Sequence, residues 1–389
     1  MMADRAIRCA RIFDGHVWHD DAVLLIDGAH SAGVVTRGDV PAGTSMEDAQ
    51  GSVLAPGFVD LQVNGGGGVL FNEQPTLEGI RTICQAHARF GTTALLPTLI
   101  TDTPQITEAA IGAAVDAARA SVPGFLGLHL EGPHLSWARR GAHREDLVRP
   151  MEESDLRRLV DASAALPVLL VTIAPENVTP DQVARLVAGG VRVSLGHTEC
   201  SRETALAYVA AGAGLATHLF NAMSPLGHRE PGLVGAVLDE SALSAGLIAD
   251  GFHVDPAVIR IALRAKAPPG RIFLVTDAMA TIGTDMEGFI LNGRKVHRSM
   301  GRLTLDDGTL AGADIDMAAS VRFLENEVGL PFETSLLMTS RYPAEAIGIG
   351  AAKGMLRRGA DADFVELDDA CRVVRSHVGG VHAFDCRHG

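Results

Sequence analysis

The chain has 389 residues, 47% hydrophobic and 21% charged, an ordered globular composition with room for a large barrel and a lesser domain. A net charge of −14 and only 4% aromatic residues argue against a nucleic-acid surface, although local basic groups could still hold a small anionic substrate. No run approaches the ~18 apolar residues of a membrane span, the N-terminus lacks an apolar signal region, and the five cysteines form no CxxC pair, so a cytoplasmic protein without nucleic-acid or membrane partners is expected.

In chain order, residues 1–52 read as short β-like runs, with AVLLIDGAHSAGVV the clearest. From about residue 54 to 277 eight apolar runs follow: VLAPGFVDLQV, TTALLPTL, GFLGLHLEG, PVLLVTIAPE, VRVSLGHT, GLATHLFNA, LSAGLIADG and RIFLVTDAM. Ala-rich, charged stretches such as TLEGIRTICQAHARFG and DQVARLVAGG separate most of them, which predicts parallel βα units. Eight units in succession favour a closed (β/α)₈ barrel over an open doubly wound sheet. The last segment, with ADFVELDDACRVV, is β-like again. The reading is an α/β chain in which a barrel over residues 53–348 is inserted into a small β-sandwich built from residues 1–52 and 349–389.

In such a barrel the chemistry sits at the C-terminal ends of the strands. Those tips carry Gln62 and Asn64, then Glu131, His197, His218 and Asp277. One carboxylate and two histidines from three strands match a catalytic zinc set that leaves a position for water. Each residue alone also reads as structural, Asp277 as a helix N-cap, but their coincidence at the tips of strands three, five, six and eight points to a metal site. Asp277 is then the natural proton carrier, taking a proton from the attacking water and passing it to the leaving group.

The motifs PGFVDLQVNGGGG, HLEGPHL, RGAH, LGHT, THLFNAMSPLGHREPG, ADGFHV, LVTDAM and LAGA run in order, followed by TSRYPAEAIGI and GADADFVELD. Together they resemble the N-acetylglucosamine-6-phosphate deacetylases of the amidohydrolase superfamily, over nearly the whole chain. The resemblance implies hydrolysis of the acetamide of N-acetylglucosamine 6-phosphate to glucosamine 6-phosphate and acetate. It implies that Glu131, His197 and His218 hold the metal and that Asp277 is the acid/base. It places His143 on the substrate near the acetyl carbonyl, Asn221 and Ala222 on the sugar or phosphate, and Arg229 and His253 on the phosphate. It also implies a homodimer that shares a phosphate ligand across subunits. Read without the resemblance, Arg229 is also a surface residue in a Pro/Gly loop, His253 a loop residue before a helix, and His143 a solvated side chain.

Gln62 and Asn64 stand where two-metal relatives carry His-x-His. An amide oxygen is a poorer zinc ligand than imidazole, so these are vestigial second-metal positions. One divalent ion per chain is expected, zinc by default, with Fe²⁺, Co²⁺ and Mn²⁺ suited to the same ligands. His134 replaces a bulky aromatic residue after EGP, so a different lid over the sugar is expected, and His228 competes with Arg229 for the phosphate. The alternatives are an N-acetylgalactosamine-6-phosphate deacetylase, a cyclic-amide hydrolase and a non-catalytic scaffold. The amides at strand one disfavour the second, and the intact ligand set disfavours the third.

Overall fold

All eight apolar runs form strands: Phe58–Val63, Thr92–Ile100, Leu128–Glu131, Leu169–Ile173, Arg192–Leu195, Leu215–Ala216, Ser244–Leu247 and Ile272–Leu274. The computed structural model describes residues 3–387. Neighbouring strands pair in parallel and in chain order. Closure is made just past the ends of the first and last strands, where Val63 bridges Ala278 and the Asp277 amide donates to the Gln62 carbonyl at 3.0 Å. The result is a nearly closed barrel.

Three of the surrounding helices begin in the same way. Thr103, Thr179 and Asp255 each accept a backbone N–H with the side chain, and a proline with its pre-set φ occupies the next position. The helices turn apolar faces to the strands; Ala110, Ala113, Ala114 and Ala117 give Pro104–Arg119 a smooth face that packs closely. A separate inner core of Val59, Leu61, Leu96, Leu170, Phe273 and Val275 fills the barrel. The register shift between Asp60 and Val63 brings polar Gln62, alongside Leu61, to the barrel interior.

Strands from both ends of the chain form the second unit. They make one eight-stranded, mostly antiparallel sheet, which forks at Arg5–Phe13: Ser45–Asp48 pairs with its first half and Val53–Pro56 with its second. Val53–Pro56 also pairs with Phe364–Leu367, joining the two ends. Both faces are buried, since Val23 and Leu25 enter one core and Leu24 and Ile26 the other.

A third element was not foreseen. After the eighth barrel strand, Gly288–Leu291, Arg294–Ser299, Arg302–Thr304 and Leu310–Ala313 form a four-stranded antiparallel sheet over the barrel mouth. It is tied to the strand-eight tip, because Ala313 N donates to Asp277 O at 2.9 Å.

Where the chain re-enters the terminal sheet, Lys353 Nζ lies 2.8 Å from Asp361 and 2.5 Å from Asp363, whose side chain is nearly fully buried. Removing the ammonium leaves a buried carboxylate without its partner. Lys353→Ala should therefore lower the unfolding free energy by roughly 3–5 kcal/mol, as for other broken buried pairs. Denaturant unfolding checks this, and a loss under about 1 kcal/mol would show that the pair does not hold the re-entry.

Candidate active site and metal centre

Glu131 ends the third barrel strand, and His197, His218 and Asp277 follow the fifth, sixth and eighth by two or three residues. The last three adopt left-handed backbone conformations, with φ of 47°, 31° and 50°. Each strand thus ends in a tight turn that aims its side chain across the mouth. Gly132, directly after Glu131, is also left-handed at φ 89°, and a Cβ there would collide with Thr101 Oγ1.

All four side chains meet in one cavity of about 410 Å³. Glu131 Oε1 lies 3.1 Å from both His197 Nε2 and His218 Nε2, and these nitrogens are 3.1 Å apart. A tetrahedral zinc with bonds of about 2.0–2.1 Å needs ligand atoms about 3.3–3.4 Å from one another, so the triangle fits a divalent ion. Glu131, His143 and His197 also bring ligand atoms within 4.8 Å of one another.

Hydrogen-bond partners distinguish the two sets. His197 Nδ1 donates to the Arg139 carbonyl at 2.8 Å, so its Nε2 holds a lone pair toward Glu131 and His218. His143 is the reverse: its Nδ1 accepts the Thr101 amide at 3.3 Å, so the neutral ring carries its proton on Nε2. Burial, reinforced by His197, pushes His143 down to about 3 and keeps it neutral. It is a hydrogen-bond donor, 4.0 Å from Glu131, rather than a ligand or the solvated side chain its loop suggested.

Charges follow from burial and neighbours. Burial opposes ionisation of Glu131, but His197 and His218 outweigh it and hold the carboxyl well below its ordinary range. Burial likewise disfavours charge on His218, yet Glu131 raises its pKa. Burial and then Glu131 push Asp277 up to about 6, in the range of a working acid/base.

Asn64, Asn221, Ala222 and His253 line the same cavity. Gln62 donates to Glu131 and Asp277 at 3.2 Å, and Asn64 donates to Asp277 at 2.6 Å. His253 Nδ1 is fixed by Asp250 at 2.6 Å. Arg229 and His228 are exposed and do not line the cavity. His134 is not part of a lid: it is buried beside Arg149 and Asp155, with Nδ1 3.0 Å from the Arg149 carbonyl. The sequence did not single out Arg139, which lines the cavity, or the wall of Leu291, Thr309, Leu310 and Gly312. The basic run ARRGAH hinted at the former, and the LAGA motif contains Leu310 and Gly312 without marking them as a wall.

A model of the amidohydrolase family matches residues 53–381. An N-acetylgalactosamine-6-phosphate deacetylase of Shewanella sp. (strain ANA-3) is 41% identical, covering 92% of this chain and 96% of that protein. The crystal structure of an N-acetylglucosamine-6-phosphate deacetylase from Pasteurella multocida superposes with a TM-score of 0.93 at 35% identity, covering 97% of this chain and 99% of that one. A mutant N-acetyl-D-glucosamine-6-phosphate deacetylase from Mycobacterium smegmatis, in complex with N-acetyl-D-glucosamine-6-phosphate, gives 0.89 at 30% identity, covering 98% and 99%. Polar residues gathered at the strand tips, a barrel inserted in a terminal sheet and a match across most of the length agree, and the chain belongs to the amidohydrolase family.

Proposed function

We propose that this chain hydrolyses the acetamide of an N-acetylhexosamine 6-phosphate, with N-acetylglucosamine 6-phosphate as substrate, releasing glucosamine 6-phosphate and acetate. The observation that carries the reading is the convergence of Glu131, His197, His218 and Asp277 at one end of one barrel. Two relatives with solved structures bear the glucosamine name. The galactosamine epimer is the second reading, favoured by the 41% identical Shewanella relative.

In this reading Glu131, His197 and His218 hold one divalent ion, which when bound acidifies water and polarises a carbonyl. Asp277 takes the proton of the attacking water and returns it to the departing amine as the C–N bond breaks. His143 Nε2–H faces the cavity as a neutral donor for the carbonyl oxygen as it gains charge. Asn221 and Ala222 contact the sugar or phosphate, and His253, oriented by Asp250, receives the phosphate. Exposed Arg229 fits a phosphate ligand supplied to a neighbouring copy's cavity, which makes the working unit a homodimer. The site of action is the cytoplasm. Among the described residues no helix is long and apolar enough to cross a membrane.

Three measurements test this. Acetate release from the two 6-phosphate epimers, with elemental analysis of the same zinc-loaded sample, should show turnover of the glucosamine substrate and about one ion per chain. Turnover of the galactosamine epimer alone would select the second reading, and two ions per chain would overturn the single-metal assignment. Asp277→Asn should keep its metal and lose roughly 10²–10⁴-fold in kcat; near-normal turnover would make Asp277 structural. Mixed and reassembled Arg229→Ala and Asp277→Asn subunits should recover up to about a quarter of wild-type activity, because half of the dimers then hold one intact shared site. No recovery would place Arg229 outside its neighbour's site.

A further inference from the structure

Glu131 and Asp277 bring two carboxylates together at the floor of the cavity. Both lose water on burial, and like charges disfavour ionising together, so a proton, a cation or a donor must separate them. The structure places donors there. Gln62 Nε2 is 3.2 Å from both Glu131 oxygens and 3.2 Å from Asp277 Oδ1, and Asn64 Nδ2 is 2.6 Å from the same Asp277 oxygen. Both amides are buried, and the opposite orientation would set an amide oxygen against a carboxylate.

The backbone under the amides is pinned as well. Asp60 accepts the Gln62 and Thr276 amides at 3.2 Å and the Thr276 hydroxyl at 2.5 Å. The Asn64 and Gly65 amides donate to the Ala278 carbonyl at 2.9 and 3.0 Å. Strand-one amides and the strand-eight carboxylate therefore face each other across the closing seam of the barrel. Among the described residues, Asp277 Oδ2 receives no hydrogen bond from the protein. Asn64 Oδ1 is buried without a partner, while its side chain lines the cavity. An asparagine with a purely structural job would have both ends satisfied.

We propose that Gln62 and Asn64 form an amide clamp that positions Asp277. Their N–H groups hold Oδ1, and that of Gln62 also stands between it and Glu131, so Oδ2 is the oxygen presented for proton exchange. The clamp residues orient the reacting carboxylate without touching the proton. This role rests on Asp277 being the acid/base of the proposed deacetylation.

Near-isosteric substitutions separate donor from shape. Asn64→Asp and Gln62→Glu keep the outline but replace N–H with another carboxylate oxygen. Asn64→Ala and Gln62→Ala remove the donor and admit water. The clamp predicts that, metal-free and at mildly alkaline pH, the acidic variants unfold at lower temperature than the alanine variants. In the metal-loaded protein, kcat should fall by about 10²-fold in the acidic variants, as expected for a misplaced group, and less in the alanine variants. KM should stay within about twofold. Elemental analysis of each sample separates these losses from loss of metal. A role in shape alone predicts the reverse order, with the acidic variants near wild type, and that result overturns the clamp. Asp277→Asn serves as the control. If it is inactive while the acidic variants match wild type, the clamp alone fails; if it turns over normally, the underlying acid/base reading fails and takes the clamp's catalytic purpose with it.

Discussion

Closing the barrel buries Glu131 and leaves Asp277 half-buried beside it, and ionising both there requires compensation from their neighbours. His197 and His218 sit against Glu131, and the amides of Gln62 and Asn64 sit against Asp277. The two carboxyls are driven in opposite directions: the histidines hold Glu131 well below its usual range, while burial and then the Glu131 charge push Asp277 up to about 6, against the lowering pull of the Asn64 donor. One is suited to hold a cation and the other to exchange a proton. Much of the surrounding architecture serves that separation, from the Asp60–Thr276 seam to the Arg139 carbonyl that fixes the His197 tautomer.

Much of this was legible in the sequence, because the barrel repeats one local pattern. Apolar runs alternating with amphipathic stretches gave the eight strands, and polar residues at the ends of runs marked Gln62, Asn64, Glu131, His197, His218 and Asp277. What was not legible depends on distant partners. Arg294–Ser299 and its neighbours alternate weakly and carry charge, so their mutual pairing makes a cavity wall that no single run announces. His134 followed the right motif, yet its place is set by Arg149 and Asp155, which come later in the chain. Arg229 has the chemistry for phosphate, but the exposure of its loop is a tertiary fact. The amides of Gln62 and Asn64 read as a loss of ligands, and only their contacts show them as donors.

The aiming of the site residues carries an energetic burden. His197, His218 and Asp277 all hold left-handed backbone conformations, which cost about 1–3 kcal/mol each in a residue with a side chain. Such strain persists only where the surroundings over-determine the backbone. Here they do: Ser136 N donates to the His197 carbonyl, Leu219 N to Gly246, and Ala313 N to Asp277. The wall sheet and the loop carrying His143 therefore belong to the same mechanical unit as Asp277. Arg294 strengthens the link by donating to the Ala142 carbonyl at 2.5 Å.

The forked terminal sheet has a consequence for biosynthesis. Val53–Pro56 reaches its full complement of strand partners only with Phe364–Leu367, after the whole barrel has been translated. A nascent chain emerging from the ribosome therefore carries an unpaired edge for most of its synthesis, beside a barrel that also waits for its eighth strand. Vectorial folding gives such a topology little help, since its decisive contacts are among the most distant in the sequence. A chain that stops before Phe364–Leu367 lacks the strand that covers the Val53–Pro56 edge and leaves its backbone groups unpaired.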